Sequence, residues 1–223
     1  MDRTPACGFL RKAGGPGSNP GGGNYVKIYN KQDLNIIMKA FEGELIEERV
    51  IIWDKEAANL YYEHGYGKPM PLEAPERLEL DLIEATYLLE KGKLKIYVTE
   101  NNKKRMLDLR EMMKVGESRL NQFHAQYVVY SDLRNKGYLV KTGYKFGAHF
   151  RVYEKGVKIK RGPKAPFEHT KFIVHAVPEE AAFSLPEMSR AVRLAHNIRA
   201  TFVWAVVDKE NDVTYYEIKR LKP

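Results

Sequence analysis

Only one cysteine, Cys7, occurs in the 223 residues, so no internal disulfide can form. No apolar run approaches the roughly 20 residues that a membrane-spanning helix needs. The six histidines are scattered, and none falls in a metal-ligand pattern such as HExxH. The glycine-rich run at 14–23, GGPGSNPGGG, lacks the GK[ST] ending of a phosphate-binding loop, and no strand-like segment precedes it. No internal repeat period is present. These absences leave a soluble, intracellular, cytoplasmic chain that must fold on its own apolar core.

The core is available, since 43% of the residues are hydrophobic. Lys and Arg number 37 against 29 Asp and Glu, giving a net charge of +8 and a pI near 9.3. Such a balance favours an acidic partner, nucleic acid above all. A surface rich in charge of both signs, as in thermophilic proteins, is the plainer reading. The positive charge is concentrated: Lys141, Lys145, Arg151, Lys155, Lys158, Lys160, Arg161 and Lys164 share the stretch 141–164 with one acid, Glu154. A block of this kind draws phosphates with a strong salt dependence, or is simply a solvated loop.

The chain is expected to be α+β. Residues 1–23 hold seven glycines and three prolines without an apolar period, and read as a disordered tail. A small α+β domain is expected over 24–115. Its strands are 26–29, Glu44–Trp53 and 93–98, and its helices are Asp33–Phe41, Glu56–His64 and Leu78–Lys91. A second domain is expected over 116–223. It opens with a helical connector, 118–136, that Gly137 should stop. Strands are expected at Tyr138–Lys141, His149–Tyr153 and Lys171–Val177. Ser184 is placed to cap a helix with Pro186 in its first turn. Met188, Ala191, Val192, Ala195 and Ile198 form the buried stripe of that helix, with Arg190, Arg193 and Asn197 on another face. Strands 201–207 and 213–219 around the acidic turn 208–212 close the chain as a hairpin. The domain is therefore expected to be a mixed-sheet α/β unit.

Three segments carry a resemblance: YSDLRNKGYLVKTGYKFGAHFRVYEKG at 130–156, the histidine before the next strand, and SRAVRLAHNIR at 189–199. Together, in this order, they resemble the archaeal-type tRNA-splicing endonuclease family over about 130–223, with a weaker likeness over 25–115. The resemblance implies cleavage of precursor tRNA at a bulge–helix–bulge. The ribose 2′-hydroxyl attacks the adjacent phosphorus, leaving 2′,3′-cyclic phosphate and 5′-hydroxyl ends. It implies no metal and no cofactor. It assigns Tyr153 as general base and His169 as general acid.

Such chemistry calls for two titratable groups flanking the phosphorus, one to take a proton and one to give it. Histidine suits the second role near neutrality. Tyrosine suits the first only if cations lower its pKa of about 10, and Arg151, Lys155, Lys158 and Lys160 are near in sequence. His149 is the rival acid. Taken singly, a strand tyrosine among fourteen is a core or surface residue, and the resemblance is what singles out Tyr153.

The family's third active residue, a lysine that stabilises the charged transition state, falls on Ala200. The loss of such a stabiliser typically costs about 10²- to 10³-fold in rate. Three explanations stand side by side: a disabled form of an active enzyme, a natural structural subunit that binds RNA beside a catalytic one, or service by Arg199. The resemblance further implies that Arg193 clamps a bulged base through its guanidinium plane. It suggests that Lys158, Lys160 and Lys164, on a loop longer than in short family members, contact RNA. It places Asp208, Glu210 and Asp212 in an acidic loop that enters a neighbouring subunit, within a homodimer or a heterotetramer with a homologous subunit. As a plain hairpin turn, 208–212 needs no partner.

Overall fold

A computed structural model describes residues 40–70, 77–143, 147–159 and 169–219. The expected tail at 1–23, the strand at 26–29 and the helix at 33–41, apart from its last two residues, lie outside them.

Two mixed sheets are built in chain order. The first holds β1 (Phe41–Ile46), β2 (Arg49–Ile52), β3 (Lys68–Met70), β4 (Arg77–Asp81), β5 (Leu94–Glu100) and β6 (Lys103–Leu107), ordered β3-β4-β2-β1-β5-β6. Only β1 and β5 run parallel. A 3-10 turn (Lys55–Ala57) leads into α1 (Ala58–His64), and α2 (Leu82–Glu90) follows β4 directly. The second sheet holds β7 (Tyr138–Thr142), β8 (Phe150–Lys155), β9 (Phe172–Pro178), β10 (Thr201–Val207) and β11 (Val213–Ile218), ordered β11-β10-β9-β8-β7. Here β9 and β10 are the parallel pair, joined by α5 (Leu185–Asn197). Helices α3 (Leu109–Arg119) and α4 (Phe123–Asn135) connect the sheets. The chain is thus α+β with mixed sheets.

Several boundaries differ from expectation, each for a local reason. Glu44–Trp53 is two strands, because Glu47 turns at a positive φ of 50° and folds β2 back on β1. Phe41 opens β1 and ends no helix. Leu78–Lys91 begins as β4: Leu78 and Leu80 are buried while Arg77 and Glu79 face outward, the two-residue period of a strand. Asp81 then caps α2, accepting from the Glu84 N–H at 2.7 Å. The β5–β6 hairpin turns on Asn101 and Asn102, both at positive φ, as a tight two-residue turn requires. The connector is two helices, with Val115 inside α3.

The larger apolar core is continuous between the sheets. It joins Val50, Ile52, Leu78 and Leu80 of the first sheet, Leu82 and Leu88 of α2, Phe123 and Tyr130 of α4, and Val140, Val152 and Val174 of the second. Burying each leucine completely contributes about 1.5–3 kcal/mol. The opposite face of the second sheet carries a smaller cluster, Ile173, Val177, Phe202 and Trp204, covered by α5 through Ala195.

Candidate active site

Alternation along β8, β9 and β10 decides which residues share a face. Val152, Val174 and Val203 lie in the larger core under α4, whereas Ile173 and Phe202 lie under α5. The register pairs Arg151 with Ile173 and Val152 with Phe172, and pairs Thr201 with Phe172. One residue further, Tyr153 and Ala200 flank Lys171 on the α5 side. The backbone confirms that step: the Lys171 N–H donates to Val152 O at 2.9 Å, and the Thr201 N–H donates to Lys171 O at 3.0 Å. Strands lie about 4.8 Å apart, so Tyr153 and Ala200 stand roughly 10 Å apart across β9. His169 precedes β9 by three residues, at the same end. Tyr153 is buried, with 7% of its surface exposed. His169 is exposed and Ala200 half-buried.

Three of the cations expected near Tyr153 have other partners. Arg151 Nε donates to Thr142 O at 3.0 Å, Lys155 lies 5.0 Å from the Tyr138 ring centroid, and Lys158 pairs with Glu63. Lys160 and Lys164 lie outside the described residues, as do Lys145 and Arg161. Lys141 turns inward: its Nζ donates to Gly65 O at 2.9 Å and Gly67 O at 2.6 Å, and lies 3.4 Å from the buried Glu84 carboxylate. It therefore ties β7 to the turn between α1 and β3, and does not face a phosphate. A new pair stands at the site instead, where Lys171 meets Glu154.

His149 is unsuited to giving a proton near neutrality. Its Nδ1 accepts the Ala176 N–H at 3.0 Å, and its ring stacks on His175 at 4.1 Å. Burial first, and the neighbouring imidazole second, push its pKa down to about 4. Sequence order alone hid this, because the stack forms only when β8 pairs with β9.

Helix α5 is stopped at its C-terminal end by Arg199, at φ 56°, a conformation that non-glycine residues rarely adopt. Arg193 is exposed on that helix. In the acidic turn, Asp208 serves its own loop: Oδ1 accepts from the Glu210 N–H at 3.0 Å and the Asp212 N–H at 2.8 Å. Asn211 is tied to His124 on α4 at 2.6 Å. Glu210 and Asp212 are left exposed, on a loop held in shape by Asp208.

Among the described residues no helix is long and apolar enough to cross a membrane. Two family models match the chain: the N-terminal domain of tRNA intron endonuclease over residues 41–113, and its catalytic C-terminal domain over 123–215. A tRNA-splicing endonuclease from Thermococcus kodakarensis is 40% identical over 176 residues, 78% of this chain and 95% of its own length. One from Thermococcus onnurineus is 42% identical over 181 residues, 81% of this chain and 96% of its own. Against the tRNA-splicing endonuclease of Methanococcoides burtonii the identity is 39% over 182 residues, 81% of this chain, which spans about half (48%) of that longer protein. With both domains matched in order and along the two sheets, the chain belongs to the tRNA intron endonuclease family.

Proposed function

We propose that this chain is a tRNA-intron endonuclease subunit that acts on precursor tRNA at bulge–helix–bulge junctions. In this reading Tyr153 removes the 2′-hydroxyl proton and the 2′-oxygen attacks phosphorus. The bond to the 5′-oxygen breaks as His169 supplies its proton, leaving a 2′,3′-cyclic phosphate and a 5′-hydroxyl. The observation that carries the reading is the register that draws the ends of β8, β9 and β10 together, so that positions 153, 169 and 200 share one end of one sheet. Ala200 stands where the family's lysine falls, so the chain is a disabled form with intact base and acid. Arg193 clamps a bulged base, and Lys158, with Lys160 and Lys164, extends the RNA surface. Glu210 and Asp212 enter a neighbouring subunit of a homodimer or heterotetramer, on the loop that Asp208 shapes.

Ala200 also favours a second reading, a structural subunit that binds RNA and scaffolds a catalytic partner. One experiment separates them. A labelled bulge–helix–bulge RNA is incubated in EDTA with this chain and with Ala200→Lys, each alone and with a homologous partner subunit. Restored cyclic-phosphate products, raised by about 10²-fold or more over the alanine form, support the disabled enzyme. Absence of cleavage in every combination supports the scaffold.

A further inference from the structure

We propose that the cavity between α5 and the second sheet is a pocket for an unpaired nucleobase of the RNA strand, separate from the Arg193 clamp. The inference rests on the RNA-cleaving reading above. The cavity holds about 420 Å³, and its walls include His175, Phe183, Phe202 and Trp204, with Arg190 and Leu194 from α5. That is within the size range of small-ligand sites, which combine apolar walls with a few polar groups.

The walls suit a flat, neutral, hydrogen-bonding ring. Phe183 stands 6.0 Å from His175 and 5.4 Å from Trp204, and both contacts are steeply tilted, so aromatic planes enclose the space from different directions. His175 is held in place from behind by the His149 stack, and burial depresses its protonation, so it presents a neutral imidazole. Trp204 is only 6% exposed, and its Nε1–H has no acceptor among the described residues. Its ring, a wall of the cavity, offers an apolar face for stacking.

Charge points the same way. Arg190 belongs to the wall, where it can receive a phosphate outside the pocket, and Arg193 lies one turn further along α5. The wall's carboxylate, Glu187, is already engaged by Ser184 N–H and Oγ, at 2.8 and 2.7 Å. Position also fits. His175 is four residues along β9 from Lys171, and Trp204 four along β10 from Ala200, on the same face. At about 3.3 Å per residue the pocket lies roughly 13 Å from the end that holds Tyr153 and His169, a span of a few nucleotides.

The test uses the full chain and two end-labelled hairpin RNAs with the same bulge. One carries adenines in the bulge, and the other carries abasic sites there with every phosphate kept. Binding is read by fluorescence anisotropy for the wild type, His175→Ala, Phe183→Ala and the volume-keeping Phe183→Leu. Stacking on an aromatic wall predicts that the wild type binds the abasic RNA about 10-fold more weakly. Each variant should lose about the same factor on the adenine RNA and little on the abasic one. Equal losses on both RNAs, or none on either, overturn the pocket. If the wild type binds neither RNA, the endonuclease reading fails and takes the pocket with it. If it binds both alike, the pocket fails together with the Arg193 clamp, while the cleavage chemistry at Tyr153 and His169 is untouched.

Discussion

Helices α4 and α5 are both thirteen residues long and cover opposite faces of the same sheet. Yet α4 buries Phe123, Ala125, Tyr127, Val129, Tyr130 and Leu133, and α5 buries only Ala195. The reason lies in what each helix faces. α4 is sandwiched, with α2 and the first sheet behind it, so its apolar stripe is wide. α5 has solvent behind it, opens at Leu185, 80% exposed, and leaves the cavity under its first half. A face closed on both sides carries stability, whereas a face covered by one loosely seated helix has room for a ligand.

The largest effects should come from the α4 side. Phe123 is 1% exposed, and its ring packs where a Cβ on Gly116 would fall. Phe123→Ala is expected to cost about 3–5 kcal/mol, and Leu194→Ala on the half-buried α5 less than about 1 kcal/mol. Urea midpoints at unchanged slope measure both, and equal losses would erase the contrast between the helices. Next comes Lys141→Met, which leaves Glu84 inside without its cation and the Gly67 carbonyl without its side-chain donor, while Gly65 O keeps Arg134 Nη2 at 3.4 Å. Breaking such a buried pair costs about 3 kcal/mol or more. Lys209→Ala, at an exposed pair with Glu179, is expected to change stability by less than about 0.5 kcal/mol.

The same difference decides what could be read from the chain. The α5 cap at Ser184 and the 201–207 and 213–219 hairpin follow from local signals, and both stand as expected. Leu78–Lys91 misled because Leu, Glu and Ala are good helix formers, while the strand signal is only the alternation of Arg77–Asp81. Edge strand β6 reads as charge, with Lys103 to Met106 all exposed; the Asn-Asn turn before it was the available sign. Positions 153, 169 and 200 lie on or just before separate strands, so their shared end depends on pairing that no local pattern encodes, and the resemblance alone singled them out. Lys141 was counted with the phosphate-facing cations because its inward direction depends on the turn at Gly65 and Gly67, more than seventy residues away.

A pH series compares the two sheets at smaller amplitude, with opposite signs. His149 has an unfolded pKa near 6.5 and a folded one of about 4. Its contribution is complete above about pH 6.5 and is lost as pH falls toward 4, where the unfolded chain takes up a proton that the folded one refuses. Asp81, beside Glu84 in the first sheet, is held well above the ordinary carboxylate range, chiefly by burial. The folded chain keeps that proton after the unfolded chain has released it, so stability drains away as pH rises above about 4. His149→Gln should flatten the acid-side loss, and Asp81→Asn the loss on raising pH, by roughly 1–3 kcal/mol each. Thermal melting between pH 4 and 8 reads both slopes, and parallel curves for a variant and the wild type would remove that group from the balance.

A local change asks whether α5 opens by itself. Ser184 Oγ accepts the Glu187 N–H at 3.4 Å while the Ser184 N–H donates to Glu187 Oε2 at 2.8 Å, a reciprocal cap on a helix with little burial to hold it. Ser184→Ala is expected to cost about 1 kcal/mol, which corresponds to about fivefold faster amide exchange in an element that opens locally. The increase should appear at Met188, whose N–H donates to Ser184 O, and along the rest of α5. The amides of Val129 and Tyr130 in α4 should keep their rates, because their opening requires the shared core to come apart. Faster exchange in α4 by the same factor would mean that both helices unfold together, and that the loose fit of α5 is a matter of area and not of independent motion.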